Sequence, residues 1–495
     1  MSGGEATARP GLRAQARQAL FTALLLGVVA ALLRFARLGA WSLWSDEAAT
    51  LRDAQNLANV QSYPIGYALI GWFVKLFGDS EFAARFIPAL AGALTAPAIY
   101  LAGRRLFSER AGIIAGALLA LSSYHLFFSQ FARYYTLVML LGFGAMWCGY
   151  LAIEHNRRRD AVLSVALLAL AALTHWSALM LAPALALCAL LRLRERHAWR
   201  RSAWTLAILF GPMLLGLLAA SPVLLRFALS WRAEEGFSLA RFGLIWLKMA
   251  DRIEVPVLLC ATAGGWMLWR LRDPRLLWLA AYAGVTLFLA ALFVGFTEGG
   301  SRFGLVALPP FLLLAGYLTD QFIELSRDRA RTVAWLLLAL ALASAGTRDV
   351  FYFTAEHGQR PRWKDAAAYV IPRLGEGARV MAAAPEVFDY CARRLGCVGR
   401  KAEPLVIPPQ GPPSEAQPYE GSYKPSQGSG DAPRGAEGRA TFYIITEQVA
   451  NMAPTDEQQR WLDEHATLEK RFPLTVRLLD YSVLVYRVEA GRVTH

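Results

Sequence analysis

The chain has 495 residues, 56% of them hydrophobic and 12% aromatic, with a formal net charge of +13 and a mean hydropathy of +0.34. That composition argues against an ordinary soluble globular protein and predicts an integral membrane protein. The basic excess does not point to nucleic acid, because the arginines collect in short segments between apolar runs, where membrane proteins carry orientation signals.

Residues 18–33 carry no charge and follow Arg9, Arg13 and Arg17, which predicts an uncleaved first span with its N-terminus cytoplasmic. A long outer loop, 40–80, follows. Its segments 51–60 and 63–77 read as interfacial helices, the second too short and too punctuated to cross a bilayer. Further spans are expected at 82–101, 111–128, 136–153, 161–173, 178–191 and 204–220, then at 255–269, 276–295, 303–318 and 333–345. With the first, these make about eleven, and arginines such as Arg104, Arg105, Arg157, Arg192, Arg270 and Arg327 mark the inner ends. A second long outer segment, 222–254, holds a surface helix at 239–249.

From residue 348 the composition becomes that of a soluble domain with alternating elements. Helices are expected at 363–373, 385–395 and 455–465, the last with Thr455 as N-cap. Strands are expected at 378–383 and 441–446, with a terminal pair at 474–479 and 482–488. The Pro-, Gly- and Ser-rich stretch 404–439 reads as a flexible insertion. The fold class is therefore an α-helical polytopic membrane protein, 1–347, with a small extracytoplasmic α/β domain, 348–495, and the expected location is the cytoplasmic membrane.

Of five cysteines, Cys148, Cys188 and Cys260 lie in spans as small buried apolar residues. Cys391 and Cys397 lie on the exported side, and both a disulfide and two thiols are open to them.

The stretch Trp41-Ser42-Leu43-Trp44-Ser45-Asp46-Glu47-Ala48 sets two adjacent carboxylates at the mouth of the first span. Beside tryptophans and before another apolar run, such acids are partly desolvated and poised to accept a proton; the alternative is an interfacial aromatic anchor with solvated acids. Arg133 and Arg302 sit at outer ends of spans, against the positive-inside tendency, and either bind something there or snorkel to headgroups. His175, beside Trp176, reads as structural or as touching an acceptor, and Glu298, beside Gly299-Gly300, as a flexible outer acid.

Several of these stretches belong to one ordered set. It runs through Leu33-Arg34, Leu38-Gly39, Trp44 to Ala48, Tyr63-Pro64 to Tyr67, Phe77-Gly78, Glu81 and Arg85-Phe86-Ile87-Pro88. It continues with Ser129-Gln130-Phe131-Ala132-Arg133-Tyr134-Tyr135, Ser301-Arg302-Phe303 and Leu308-Pro309. In this order the chain resembles the bacterial GT-C glycosyltransferases of the protein mannosyltransferase and aminoarabinose transferase type, glycosyltransferase family 39. The likeness covers about the first 350 residues, and Arg362-Trp363-Lys364-Asp365-Ala366-Ala367 is similar to the start of the outer domain that many members carry.

The resemblance implies the GT-C fold and transfer of a sugar from a polyprenyl-phosphate donor to a protein, lipid or polysaccharide acceptor at the outer face, with inversion. Asp46 matches the family's catalytic acid and would act as general base on the acceptor hydroxyl. Glu47 would position the acceptor, tune Asp46 by like-charge coupling, or simply cap a helix. The departing lipid phosphate needs fixed cations, a task for which the arginine fork suits Arg133 and Arg302. Tyr134 bonds the same phosphate or serves as an anchor, and Arg85 and Lys75 are further candidates that could equally mark helix ends.

One departure concerns the second outer loop, where relatives often carry an acid at or near the position of Phe131. This turn has none from Ser129 to Tyr135. Its task passes to Glu47, Asp251 or Glu254, or is absent, and no metal or other cofactor is expected. The competing function is a lipid or polysaccharide transporter or flippase without glycosyl transfer. That class needs charges along a path in mid-span, whereas these spans are nearly charge-free.

Overall fold

The computed structural model describes residues 5–55, 64–195, 199–234, 237–296, 301–325, 328–375, 378–397, 400–405, 440–449 and 452–489. Glu298, Tyr63 and nearly all of the 404–439 insertion lie outside the described residues. The chain divides into two compact units. The first comprises Met1–Ala36, Asn56–Asp79 and Ala83–Asp349; the second comprises Arg37–Gln55, Ser80–Phe82 and Val350–His495. The outer loop 40–80 is thus shared between the units.

In chain order the helices run α1 (Glu5–Phe35), α2 (Ser45–Gln55), α3 (Pro64–Phe77), α4 (Glu81–Leu106), α5 (Glu109–Ala120), α6 (Ser123–Ser129), α7 (Tyr135–His155) and α8 (Arg158–Thr174). They continue with α9 (Leu181–Glu195), α10 (Trp199–Glu234), α11 (Leu239–Ile253), α12 (Val255–Arg270), α13 (Arg275–Phe296), α14 (Leu308–Glu324) and α15 (Asp328–Thr354). Short 3-10 turns at Trp176–Met180 and Ser301–Ala307 precede α9 and α14.

Eight of the eleven segments expected to span fall within single α-helices, 111–128 is divided between α5 and α6, and 178–191 and 303–318 begin in the 3-10 turns before α9 and α14. Among the described residues seven helices are long and apolar enough to cross a membrane, and the bent pair α5–α6 makes an eighth. Of the remaining three expected spans, α8 and α12 have only 17 and 16 residues, and α10 is not among the seven. The α5–α6 pair turns by 58° because Ser122 starts a new helix, its hydroxyl accepting the His125 N–H at 3.4 Å. The α14 segment is the inner element of its unit, 94% of it buried against 28% for α1 and 22% for α15, whose apolar faces are left for lipid.

Two boundaries differ from expectation in this unit and its neighbour. The α2 helix begins at Ser45, not at 51, because Asp46 and Glu47 fill its first turn, where acidic side chains complement the helix dipole. The α10 helix does not end at residue 220 but continues through Pro222 to Glu234; the residues after Pro222 include neither Gly nor a second Pro. The α11 helix matches the expected surface helix and is capped by Ser238, whose hydroxyl accepts the Arg241 N–H at 3.2 Å.

The second unit holds α16 (Trp363–Val370), β1 (Arg379–Ala382), α17 (Pro385–Arg394), β2 (Glu403–Pro404), β3 (Thr441–Thr446), α18 (Asp456–His465), β4 (Thr467–Phe472), β5 (Thr475–Val476), β6 (Leu479–Asp480) and β7 (Val483–Val488). Five strands form one sheet in the order β2-β1-β3-β7-β4. The β1 strand pairs parallel with β2 and β3, and β7 pairs antiparallel with β3 and β4. The β3 strand reads Thr-Phe-Tyr-Ile-Ile-Thr and is buried nearly throughout, as a central strand should be. Thr455 caps α18 through a reciprocal capping box with Gln458.

The terminal strand pair is a correction. β7 pairs not with 474–479 but with β4, whose sequence Thr-Leu-Glu-Lys-Arg-Phe carries the charges of an exposed edge strand and so hides its strand character. Within 474–479 only Thr475–Val476 and Leu479 are extended, belonging to the two strands of a separate ribbon, β5 and β6. Cys391 and Cys397 are both thiols, and burial pushes the Cys391 thiol up to about 12.

Candidate active site

In the first unit the α6–α7 turn, α3, the turn after α8 and the 3-10 turn before α14 bring four expected residues together. Arg133 donates from Nη1 to the Tyr67 hydroxyl of α3 at 3.0 Å. The Tyr134 ring stands edge-on to Tyr67, centroids 5.6 Å apart, and 5.3 Å from the His175 ring. His175 lies 6.0 Å from Phe303, over whose ring the Arg302 guanidinium sits at 5.3 Å.

Local chemistry builds this cluster. Gly66 leaves room for the root of Tyr134: a Cβ at 66 would lie 2.5 Å from Tyr134 Cδ1, well inside van der Waals contact. His175 caps the Trp176–Met180 turn, its Nδ1 accepting the Ser177 N–H at 3.1 Å. Burial, and then the charges of Arg133 and Arg302, push His175 down to about 3, so at neutral pH it is an uncharged cap and ring neighbour. Arg133 and Arg302 are both half-buried, keeping two guanidiniums near an aromatic floor where a phosphate could be bound bidentately. Arg85 is fully buried in the first turns of α4, and Lys75 is exposed at the end of α3.

Other motif residues prove to be framework. Arg34 donates to the carbonyls of Ala120 at 2.9 Å and Leu119 at 3.0 Å, satisfying the end of α5. Gln130 donates to the Arg34 and Ala36 carbonyls at 3.0 and 2.8 Å. Asp251 pairs with Arg348 at 3.2 Å, and Glu254 is buried at positive φ between α11 and α12.

In the second unit α2 carries the two acids into different surroundings. Asp46, in the first turn, is half-buried. Glu47 is fully buried, accepts the Trp44 N–H at 2.9 Å and pairs with Arg360 at 3.1 Å. Burial opposes the charge on Arg360, but Glu47 and Tyr352 outweigh it and hold its pKa above the ordinary arginine value. Nearby, Glu386 at the start of α17 is pushed up by burial, with Arg52 opposing and Asp389 and Asp46 adding to the rise. Tyr67, Phe303 and Arg360 were not singled out from sequence, although Tyr67 and Phe303 stood inside the ordered motif stretches. Among the described residues no three His, Cys, Asp or Glu side chains converge as metal ligands.

Residues 61–225 match the family model described as dolichyl-phosphate-mannose-protein mannosyltransferase. No curated protein sequence matches the chain. Among solved structures the chain is similar to ArnT from Cupriavidus metallidurans in the apo state, with TM-score 0.56 and 13% identity over 95% of this chain and 98% of that one. It is also similar to the same protein bound to undecaprenyl phosphate, with TM-score 0.53 and 13% identity over 95% and 99%. At that identity the likeness establishes the fold. The chain is accordingly a multi-pass membrane protein with the GT-C fold.

Proposed function

We propose that the protein transfers a sugar from a polyprenyl-phosphate carrier to an acceptor hydroxyl at the outer face of the cytoplasmic membrane, with inversion, using Asp46 as general base. The observation that carries this reading is the contrast within one helical turn. Glu47 is fully buried and paired with Arg360, whereas Asp46, one residue earlier at the N-terminus of α2, is only half-buried. An acceptor hydroxyl becomes a competent nucleophile as a carboxylate takes its proton, and a positioned base contributes roughly 10²–10⁴-fold.

The leaving group is a lipid phosphate, and Arg133 and Arg302, with Tyr67 and Tyr134 beside them, are the groups proposed to take up its charge. The undecaprenyl phosphate of the similar ArnT structure is the support for a carrier of that class here. The N-terminus is placed inside and residues 348–495 outside, on the arginine distribution. The acceptor is a protein, lipid or polysaccharide hydroxyl.

Mass spectrometry of lipid-linked sugars and glycosylated products in cells lacking the protein tests this reading. Transfer predicts that one carrier-linked sugar accumulates and one glycosylated product disappears. A carrier-linked sugar retained on the inner leaflet, instead of accumulating on the outer one, would favour the flippase reading.

A further inference from the structure

The start of α2 is tied to a remote part of its own unit. Glu47 and Arg360 are 313 residues apart, and both are fully buried. Arg360 also donates from Nη1 to the Tyr352 hydroxyl at 3.2 Å and to the Gly358 carbonyl at 2.5 Å. Gly358 has φ +64°, and a Cβ there would lie 2.7 Å from the Trp41 ring. The turn that carries Arg360 therefore presses directly on the residues leading into α2.

Other contacts bind the same two segments. Trp41 stands edge-on to Tyr352 at 6.5 Å and to His357 at 5.1 Å. The Arg37 guanidinium lies 4.4 Å over Trp41, and Ser42 Oγ accepts the Lys364 N–H at 3.1 Å. An apolar pair could hold two buried segments together at least as well, since burying two charges is costly. What an ion pair adds is direction and charge balance. Glu47 stands next to Asp46, where an uncompensated carboxylate would oppose a second negative charge.

We propose that Arg360 is a positioning residue for glycosyl transfer: by pairing with Glu47 it fixes the first turn of α2, and with it the aim of Asp46, and it cancels the charge Glu47 would impose there. This rests on the reading of Asp46 as base. The other charged or titratable groups around this turn include Arg52 of α2 itself, Glu386 and Asp389 of α17, which packs on α2, His357 behind Arg360, and Arg37, Arg362 and Asp365 around His357. None of them is altered in the test below.

The full-length protein in lipid nanodiscs would be labelled at carboxyl groups with a carbodiimide and an amine across a pH series, and the extent at Asp46 read by mass spectrometry. Product formation would be measured in cells lacking the native copy, and binding with undecaprenyl phosphate as probe. Glu47→Gln leaves the Arg360 charge uncompensated, which favours the Asp46 carboxylate and moves its half-protonation pH down by about half a unit or more. Arg360→Lys keeps the charge but loses the planar fork, so product should fall at least tenfold while undecaprenyl phosphate binding stays within twofold.

An unmoved or raised midpoint in Glu47→Gln overturns the electrostatic part, and wild-type product from Arg360→Lys overturns the positioning part. If one variant fails to fold, the other still decides its half. Wild-type product from Asp46→Asn overturns the base reading itself; loss there, with no effect of the other two variants, overturns only this inference.

Discussion

Gly66→Ala probes the cluster around Arg133 without touching a charge. The new methyl would lie 2.5, 2.8 and 2.9 Å from Cδ1, Cγ and Cβ of Tyr134. These atoms are the root of a side chain that is 2% exposed, so no swing of a free end relieves the clash, and either α3 or the Tyr134 backbone has to shift. Overpacking of this kind costs about 1–3 kcal/mol. The displaced ring would disturb its contacts with Tyr67 at 5.6 Å and His175 at 5.3 Å. Unfolding by SDS titration in mixed micelles, followed by tryptophan fluorescence, should show that loss, and undecaprenyl phosphate should bind more weakly. In a Tyr134→Ala background the two closest contacts, with Cδ1 and Cγ, are gone and only the Cβ contact at 2.9 Å remains, so Gly66→Ala should cost at least about 1 kcal/mol less there, a coupling the double-mutant cycle isolates. Equal cost in both backgrounds, or a single variant within about 0.5 kcal/mol of wild type, refutes the packing argument.

Arg133→Gln removes a proposed phosphate cation and should weaken undecaprenyl phosphate binding about tenfold or more, with Arg133→Lys intermediate; equal affinities would remove Arg133 from the site. His175 is held down at about 3 and His357 at about 4. Each binds its proton more readily when unfolded, so stability should fall as pH drops from about 6.5 toward 4, and His357→Gln should flatten that slope in acid-unfolding curves. Thr455→Ala removes the α18 capping box and should cost about 0.5–2 kcal/mol in the same unfolding assay. Under native, non-reducing conditions Cys397 should alkylate, whereas buried Cys391 should react only after unfolding.

The spans were legible because long charge-free runs bounded by arginines leave few alternatives in lipid. Asp46 stood out for a related reason: two adjacent acids just past an apolar run are rare and conspicuous. The grouping of Arg133, Tyr134, His175 and Arg302 was only partly legible, since each looked odd at an outer helix end while nothing local joined them. Arg360 was illegible, because its meaning lies in a partner 313 residues away and its neighbourhood reads as an ordinary basic linker. The β4 strand was missed on the same principle, its Glu-Lys-Arg centre resembling surface helix or loop until β7 supplies the pairing. The α10 extension shows the reverse error: the span was expected to stop at 220 and an outer segment to begin at 222, yet the helix-forming residues after Pro222 carry the helix on to Glu234.

The central claim is that the Asp46 carboxylate takes the acceptor's proton. Asp46→Asn, nearly isosteric, should be expressed in cells lacking the native copy, with the glycosylated product quantified by mass spectrometry and undecaprenyl phosphate binding measured on the purified variant. The account predicts product reduced by roughly 100-fold or more with carrier binding intact. Product at the wild-type level with Asn at position 46 would contradict it.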